Sequence, residues 1–156
     1  MADATVTLKT QLGDRPGHLI RRLHQIHVAM FLEECAAYSL TPVQYAVMTV
    51  LAVQPGLDQI SIANEAAIDR TNVADVLVRL EERGIVSRQV SPTDRRMKLV
   101  LLTDEGARIT RDMESAMQRA QDRFLTPLSA DRRADFMAML DQLVEANNAF
   151  SRAPAR

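Results

Sequence analysis

The segment LDQISIANEAAIDRTNVADVLVRLEERGIVSRQVSPTDRRMKLVLLT, residues 57–103, constrains the fold more than any other stretch. Asp58 is placed to cap a short helix through about Ala66. Asp69 is placed to cap a second one through Arg83, where Gly84 stops it. Only Ala67 and Ile68 lie between them, and two short helices joined so tightly form a helix-turn-helix. In the second helix Val73, Val76, Leu77 and Leu80 share an inward stripe. Arg70, Thr71, Asn72, Asp75, Val78 and Arg79 are left facing mainly outward. Directly after Gly84, IVSRQV and MKLVLL read as strands joined by SPTDRR. A helix-turn-helix followed at once by a hairpin is a winged helix, so the expected fold is mainly α with a small β-hairpin wing.

The flanks are helical. GDRPGHLIRRLHQIHVAMFLEECAAYSL carries Leu19, Ile20, Leu23, Ile26, Met30 and Phe31 at helical spacing, and its helix is expected to stop near Ser39. Thr41, Pro42 and Gln44 form a capping-box start for PVQYAVMTVLAVQ, apolar nearly all round and so expected to be buried. Thr103 caps a long helix that Pro127 closes, and Ser129 is expected to cap the last one. The organisation is therefore a loose N-terminus over 1–13, one domain over 14–150 and a loose tail over 151–156. Within the domain the winged module spans about 42–103, between terminal helices over about 16–39 and 104–150. Those outer helices carry apolar stripes, Leu19, Leu23, Ile26 and Met30 at one end and Phe136, Leu140, Leu143 and Phe150 at the other. The stripes can fold back on the module or meet a second copy; the expectation is a homodimer.

Nineteen basic residues against twenty acidic ones leave the chain nearly neutral, so any nucleic-acid surface must come from local clustering. It does cluster: residues 83–98 hold Arg83, Arg88, Arg95, Arg96 and Lys98 against Asp94 alone. The single Cys35 excludes an internal disulfide and fits a reducing cytoplasm. No apolar run approaches the roughly 20 residues of a membrane span. Gly-rich phosphate loops, nucleophile elbows, zinc-protease helices and paired cysteines are all missing from the sequence. The expectation is a protein without cofactor or catalytic activity.

The run LEERGIVSRQVSPTDRRMKLVLLTDEG, with LTPVQYAVMTVL before it and LSADRRADFMAMLDQL after it, closely resembles the multiple-antibiotic-resistance regulator (MarR) family. The resemblance covers about residues 16–150, and the wing with its D-x-R element is its most specific part. It implies a dimeric winged-helix transcription factor, usually a repressor, that a small ligand or oxidation releases from DNA. PGHLIRRLHQIHVAMFLEEC looks most like members that respond to aromatic acids or their CoA thioesters.

For DNA contact the candidates divide by chemistry. Thr71 and Asn72 start the reading helix and can match base edges, Asn through adenine and Thr through the thymine methyl. Arg70 and Arg79 suit phosphates, as do Arg88 and Lys98 beside the wing tip. Arg95 or Arg96 can enter a narrow minor groove. Resemblance to the D-x-R element gives that part to Arg96, with Asp94 holding an arginine in place. Asp75 admits two readings, a bond from cytosine N4 or an ordinary charge pair with Arg79, and stays outside the set.

For a ligand the candidates are Arg21, His24 and His27 on the first helix, with Tyr38, Tyr45 and Met48 lining a ring site. Arginine and histidine beside an apolar stripe would hold an aromatic carboxylate, while ordinary surface and core roles explain the same residues equally well. Two other functions remain open. Cys35 would serve a thiol-based redox sensor, although Glu33 and Glu34 beside it disfavour the thiolate. A winged helix can also bind proteins, but such a face would expose more apolar area than Thr71 and Asn72 provide.

Overall fold

The computed structural model describes residues 12–151, so the loose ends expected at 1–13 and 151–156 lie outside the described residues except at Leu12, Gly13 and Ser151. Helix α1 spans Pro16–Glu34. It ends five residues before the expected stop at Ser39, and a 3-10 turn, Ala36–Tyr38, takes over. The physical reason is packing on both sides of the turn. Cys35 and Leu40 are each 1% exposed, and a straight helix cannot aim both into the core. Ser39 turns the corner at φ 51° in the left-handed region. Arg83 secures it from a distance, donating to the carbonyls of Tyr38 at 2.8 Å and Ser39 at 2.7 Å.

Helix α2, Pro42–Val53, begins with the expected capping box: Gln44 N–H donates to Thr41 Oγ1, and Thr41 N–H to Gln44 Oε1. Its burial is one-sided despite its composition, with Tyr45, Val47, Met48 and Leu51 inside and Val53 73% exposed. A two-residue strand, β1 (Leu57–Asp58), follows. Asp58 then caps α3, Gln59–Glu65, accepting from the Ile60 and Ser61 amides and the Ser61 hydroxyl. Asp69 caps α4, Arg70–Glu82, and Gly84 closes it at φ 66°.

Strands β2 (Val86–Val90) and β3 (Lys98–Leu102) form the hairpin, with Arg88 opposite Val100 and Val90 opposite Lys98. β1 adds to the free edge of β3, Leu57 opposite Val100, so the wing is a three-stranded antiparallel sheet in the order β1-β3-β2. The sequence pattern gives no sign of β1, because two residues cannot display a period.

Helix α5, Asp104–Leu125, is capped by Thr103, with Asp104 and Glu105 in the first turn where the helix dipole favours them. Gly106 faces the Ile85 carbonyl so closely that a Cβ there would collide with backbone. This contact seats α5 against the start of the wing. Helix α6, Ala130–Asn147, ends in a 3-10 turn, Asn148–Phe150. Ser129 occupies its N-cap position, but contrary to expectation the side chain makes no capping bond.

The core joins α1, α2, α3, α4, the sheet and α5 through Phe31, Met48, Leu51, Ile62, Leu77, Leu80, Ile85, Val100 and Met113. α6 contributes no buried residue. Leu143, Val144 and Phe150 stand 56%, 64% and 87% exposed, and α1 likewise shows Leu19, Ile20, Leu23 and Ile26 to solvent.

Candidate nucleic-acid interface and apolar cavity

The outward face of α4 follows from the stripe beneath it. Val73, Leu77 and Leu80 are fully buried, so Thr71, Asn72, Asp75, Val78 and Arg79 are exposed together. Thr71 helps the helix start as well: its amide and its hydroxyl both donate to Asp69 Oδ1, at 3.0 and 2.8 Å. Its hydroxyl proton is thereby committed, leaving the methyl group and the oxygen lone pairs for another partner. Asn72, Asp75 and Arg79 share a groove of about 260 Å³ with Val43, Ile68 and Val76. Asp75 and Arg79 are four residues apart, yet no ion pair joins them among the described residues.

The wing tip is held by its own polar side chains. Ser91 is 5% exposed, and its Oγ accepts from the Thr93 and Asp94 amides, both at 3.3 Å. Asp94 Oδ1 accepts from the Arg96 amide at 2.9 Å, and the Met97 amide donates to the Asp94 carbonyl. Asp94 thus holds Arg96 through its backbone amide, and no ion pair between their side chains is present among the described residues. Arg95, Arg96 and Lys98 are exposed and enter no ion pair among the described residues. Arg96 and Lys98 also line a hollow of about 410 Å³ that reaches Asp58 and Ile60 at the start of α3.

The two other cations of the basic cluster are engaged within the fold. Arg83 holds the Tyr38–Ser39 elbow. Arg88 lies half-buried on β2 with its Nε 3.1 Å from a Glu81 carboxylate oxygen. That distance satisfies an ion pair, but the N–H is poorly aimed and neither Nε nor Nη2 makes a hydrogen bond. The attraction is therefore Coulombic, and Nε and Nη2 are buried without a hydrogen-bond partner.

A second feature lies between the outer helices and the winged module. His27 and Phe31 of α1, Tyr45 and Thr49 of α2, Glu65 at the end of α3, and Met117 and Gln121 of α5 line an open, mainly apolar cavity of about 360 Å³. Tyr45 donates to Glu114 at 3.0 Å, tying α2 to α5, and its ring lies 6.1 Å from that of Phe31. Burial, then the nearby Glu114, pushes the Tyr45 phenol up. His27 is set edge-on to Phe124 and lies 3.3 Å from Gln121 Nε2. Partial burial, then the neighbouring His24, holds the His27 pKa below the usual imidazole value.

Of the six residues expected around a ligand, His27 and Tyr45 line this cavity. His24 lines a second hollow of about 180 Å³ with Leu23, Phe136 and Leu140, and His27 borders both. Arg21 is exposed and hydrogen-bonded to His18, Tyr38 donates to the Asp112 carbonyl, and Met48 is wholly inside the core. Phe31, Thr49, Glu65, Met117 and Gln121 are wall residues that sequence reading passed over. Met117 and Gln121 share one α5 face at i, i+4 spacing, but α1 meets that face only in the fold. Cys35 is 1% exposed; burial, then Glu34, pushes its thiol up, with Arg119 a smaller opposing influence.

Comparison with known proteins agrees with this architecture. The MarR family model matches residues 40–98, the winged module. The transcriptional regulator HosA of Escherichia coli O111:H- is 33% identical over 86% of this chain and 98% of its own. The PcaV transcriptional regulator of Streptomyces coelicolor, solved with its natural ligand, is 37% identical with a TM-score of 0.80, covering 86% of this chain and 95% of that one. BpsR of Bordetella bronchiseptica, whose DNA binding is regulated by 6-hydroxynicotinic acid, is 28% identical with a TM-score of 0.79, covering 83% and 93%. The chain belongs to the MarR family. It is a winged-helix, DNA-binding transcriptional regulator. No helix among the described residues is long and apolar enough to cross a membrane.

Proposed function

We propose that this regulator is a homodimeric repressor of a catabolic or efflux operon, released from its operator by a small aromatic acid or the CoA thioester of one. The position of the apolar cavity carries the reading. Its walls come from α1 and α5 and equally from α2 and α3 of the winged module, so an occupant that changes their spacing moves α4. A ligand shifts such an equilibrium only by its differential affinity for the two arrangements. His27 and Gln121 supply polar atoms to orient a ring that Phe31 and Met117 would contact. The regulation of BpsR by an aromatic acid supports the same ligand class.

Dimerisation is supported by the exposed apolar stripes of α1 and α6, and a two-fold axis sets two reading helices roughly 34–36 Å apart, one turn of DNA. On each copy Thr71 and Asn72 meet base edges, while Arg70, Arg79, Arg88 and Lys98 meet phosphates and Arg95 and Arg96 extend from a wing that Asp94 stiffens. The test is a thermal-shift panel of aromatic acids and their CoA thioesters, followed by operator-release titration with each hit. A true effector at a hundredfold excess over its Kd stabilises by about 2.7 kcal/mol. If no compound raises the melting temperature while peroxide releases DNA, the ligand reading fails and a thiol switch at Cys35 replaces it.

A further inference from the structure

We propose that Asp75 reads a cytosine in each operator half-site, accepting a hydrogen bond from its N4 amino group in the major groove. This rests on the reading of α4 as the helix that enters the groove. At about 100° per residue, Asp75 lies closer than any other residue in the first two turns of α4 to the point opposite the buried stripe of Val73, Leu77 and Leu80. A helix docking by its outer face brings that side chain to base edges, with Thr71 and Asn72 one turn nearer its N-terminus. Asp75 is exposed and shares a groove with Asn72 and Arg79.

The charge makes the position selective. Arg79, four residues on, is the expected neutralising partner, yet neither residue enters an ion pair among the described residues. An uncompensated carboxylate facing DNA opposes binding on every sequence, because it works against the phosphates. It favours only a site that offers it a donor. An ionised carboxylate can accept but not donate, so guanine O6 and N7 and thymine O4 repel it. Among the donors, adenine N6 sits beside the N7 acceptor, which suits asparagine and works against a second carboxylate oxygen. Cytosine N4 is the base donor that acidic side chains match. Asp75 thus both selects cytosine and rejects the other bases.

The experiment is selection from a pool of randomised duplexes by the full-length wild type, Asp75→Ala and Asp75→Asn, followed by titration of the selected sites. The wild type should require cytosine at one position of each half-site, and exchanging that pair should weaken binding roughly ten- to a hundredfold. Asp75→Ala should bind the two duplexes within about twofold of each other and bind unselected DNA more tightly than the wild type does. Asp75→Asn should move the preference towards adenine. If Asp75→Ala keeps the wild-type preference at every position, the proposal is overturned while DNA reading by α4 stands. If the wild type selects no duplex, the reading of α4 fails and this proposal with it.

Discussion

The winged module and the terminal helices are built to different standards of closure. In the module nearly every element is finished by its own side chains: Asp58 caps α3, Asp69 caps α4, Thr41 and Gln44 close a capping box, and Asp94 and Ser91 pin the wing tip. Helix α6 has no buried residue and no side-chain cap, and Met137, Met139, Leu143 and Val144 face solvent. The module is a unit that one chain can satisfy. The outer helices hold surface that one chain leaves uncovered, which is why a second copy is expected there.

The sharpest way to break this contrast is to truncate matched leucines. Leu77→Ala inside the module should cost about 2–5 kcal/mol of stability in denaturant unfolding, since Leu77 is fully buried. Leu143→Ala on α6 should change the stability of a dilute monomer by less than about 0.5 kcal/mol. Its effect should fall on the dimer dissociation measured by sedimentation, and equal losses in the two unfolding curves would remove the distinction. Arg96→Ala should weaken operator binding by roughly tenfold with an unchanged melting temperature, because the side chain has no ion-pair partner among the described residues. Unchanged affinity at moderate salt would take the wing tip out of the interface.

Caps separate the regions on a smaller scale. Asp58→Ala should cost about 1 kcal/mol, whereas Ser129→Ala should be close to neutral, because only Asp58 accepts amide bonds. The smallest effect concerns pH. His27 has a folded pKa below its unfolded one, so as the pH falls below about 6.5 the unfolded chain takes up a proton that the folded chain resists. Stability should decline over that window and level off below the folded value. His27→Phe should flatten the decline by a small amount, and an identical pH profile for the variant would remove His27 as its source.

Much of the proposed DNA-facing surface is legible in the sequence because it is local. Arg95, Arg96 and Lys98 fall on one hairpin, and Thr71, Asn72 and Asp75 fall on one helix face, so periodicity alone groups them. The cavity is not local. His27, Tyr45, Glu65 and Gln121 come from four helices, and their meeting depends on how α1 crosses α2 and α5. Arg83 shows the same limit within the basic cluster: adjacency counts it with the wing, while the fold turns it back to the carbonyls of Tyr38 and Ser39.

What the sequence determined unaided is therefore the order of the elements apart from β1, the caps other than that at Ser129, and the winged module, since helix period, strand alternation and N-cap chemistry act over a few residues. Tertiary structure alone decided three things. It ended α1 at Glu34 so that Cys35 and Leu40 could both be buried, and it gave β3 a partner in the two-residue β1. It also formed an apolar cavity between helices far apart in the chain. Each depends on which surfaces meet once the chain is packed, and no short stretch of residues encodes that meeting by itself.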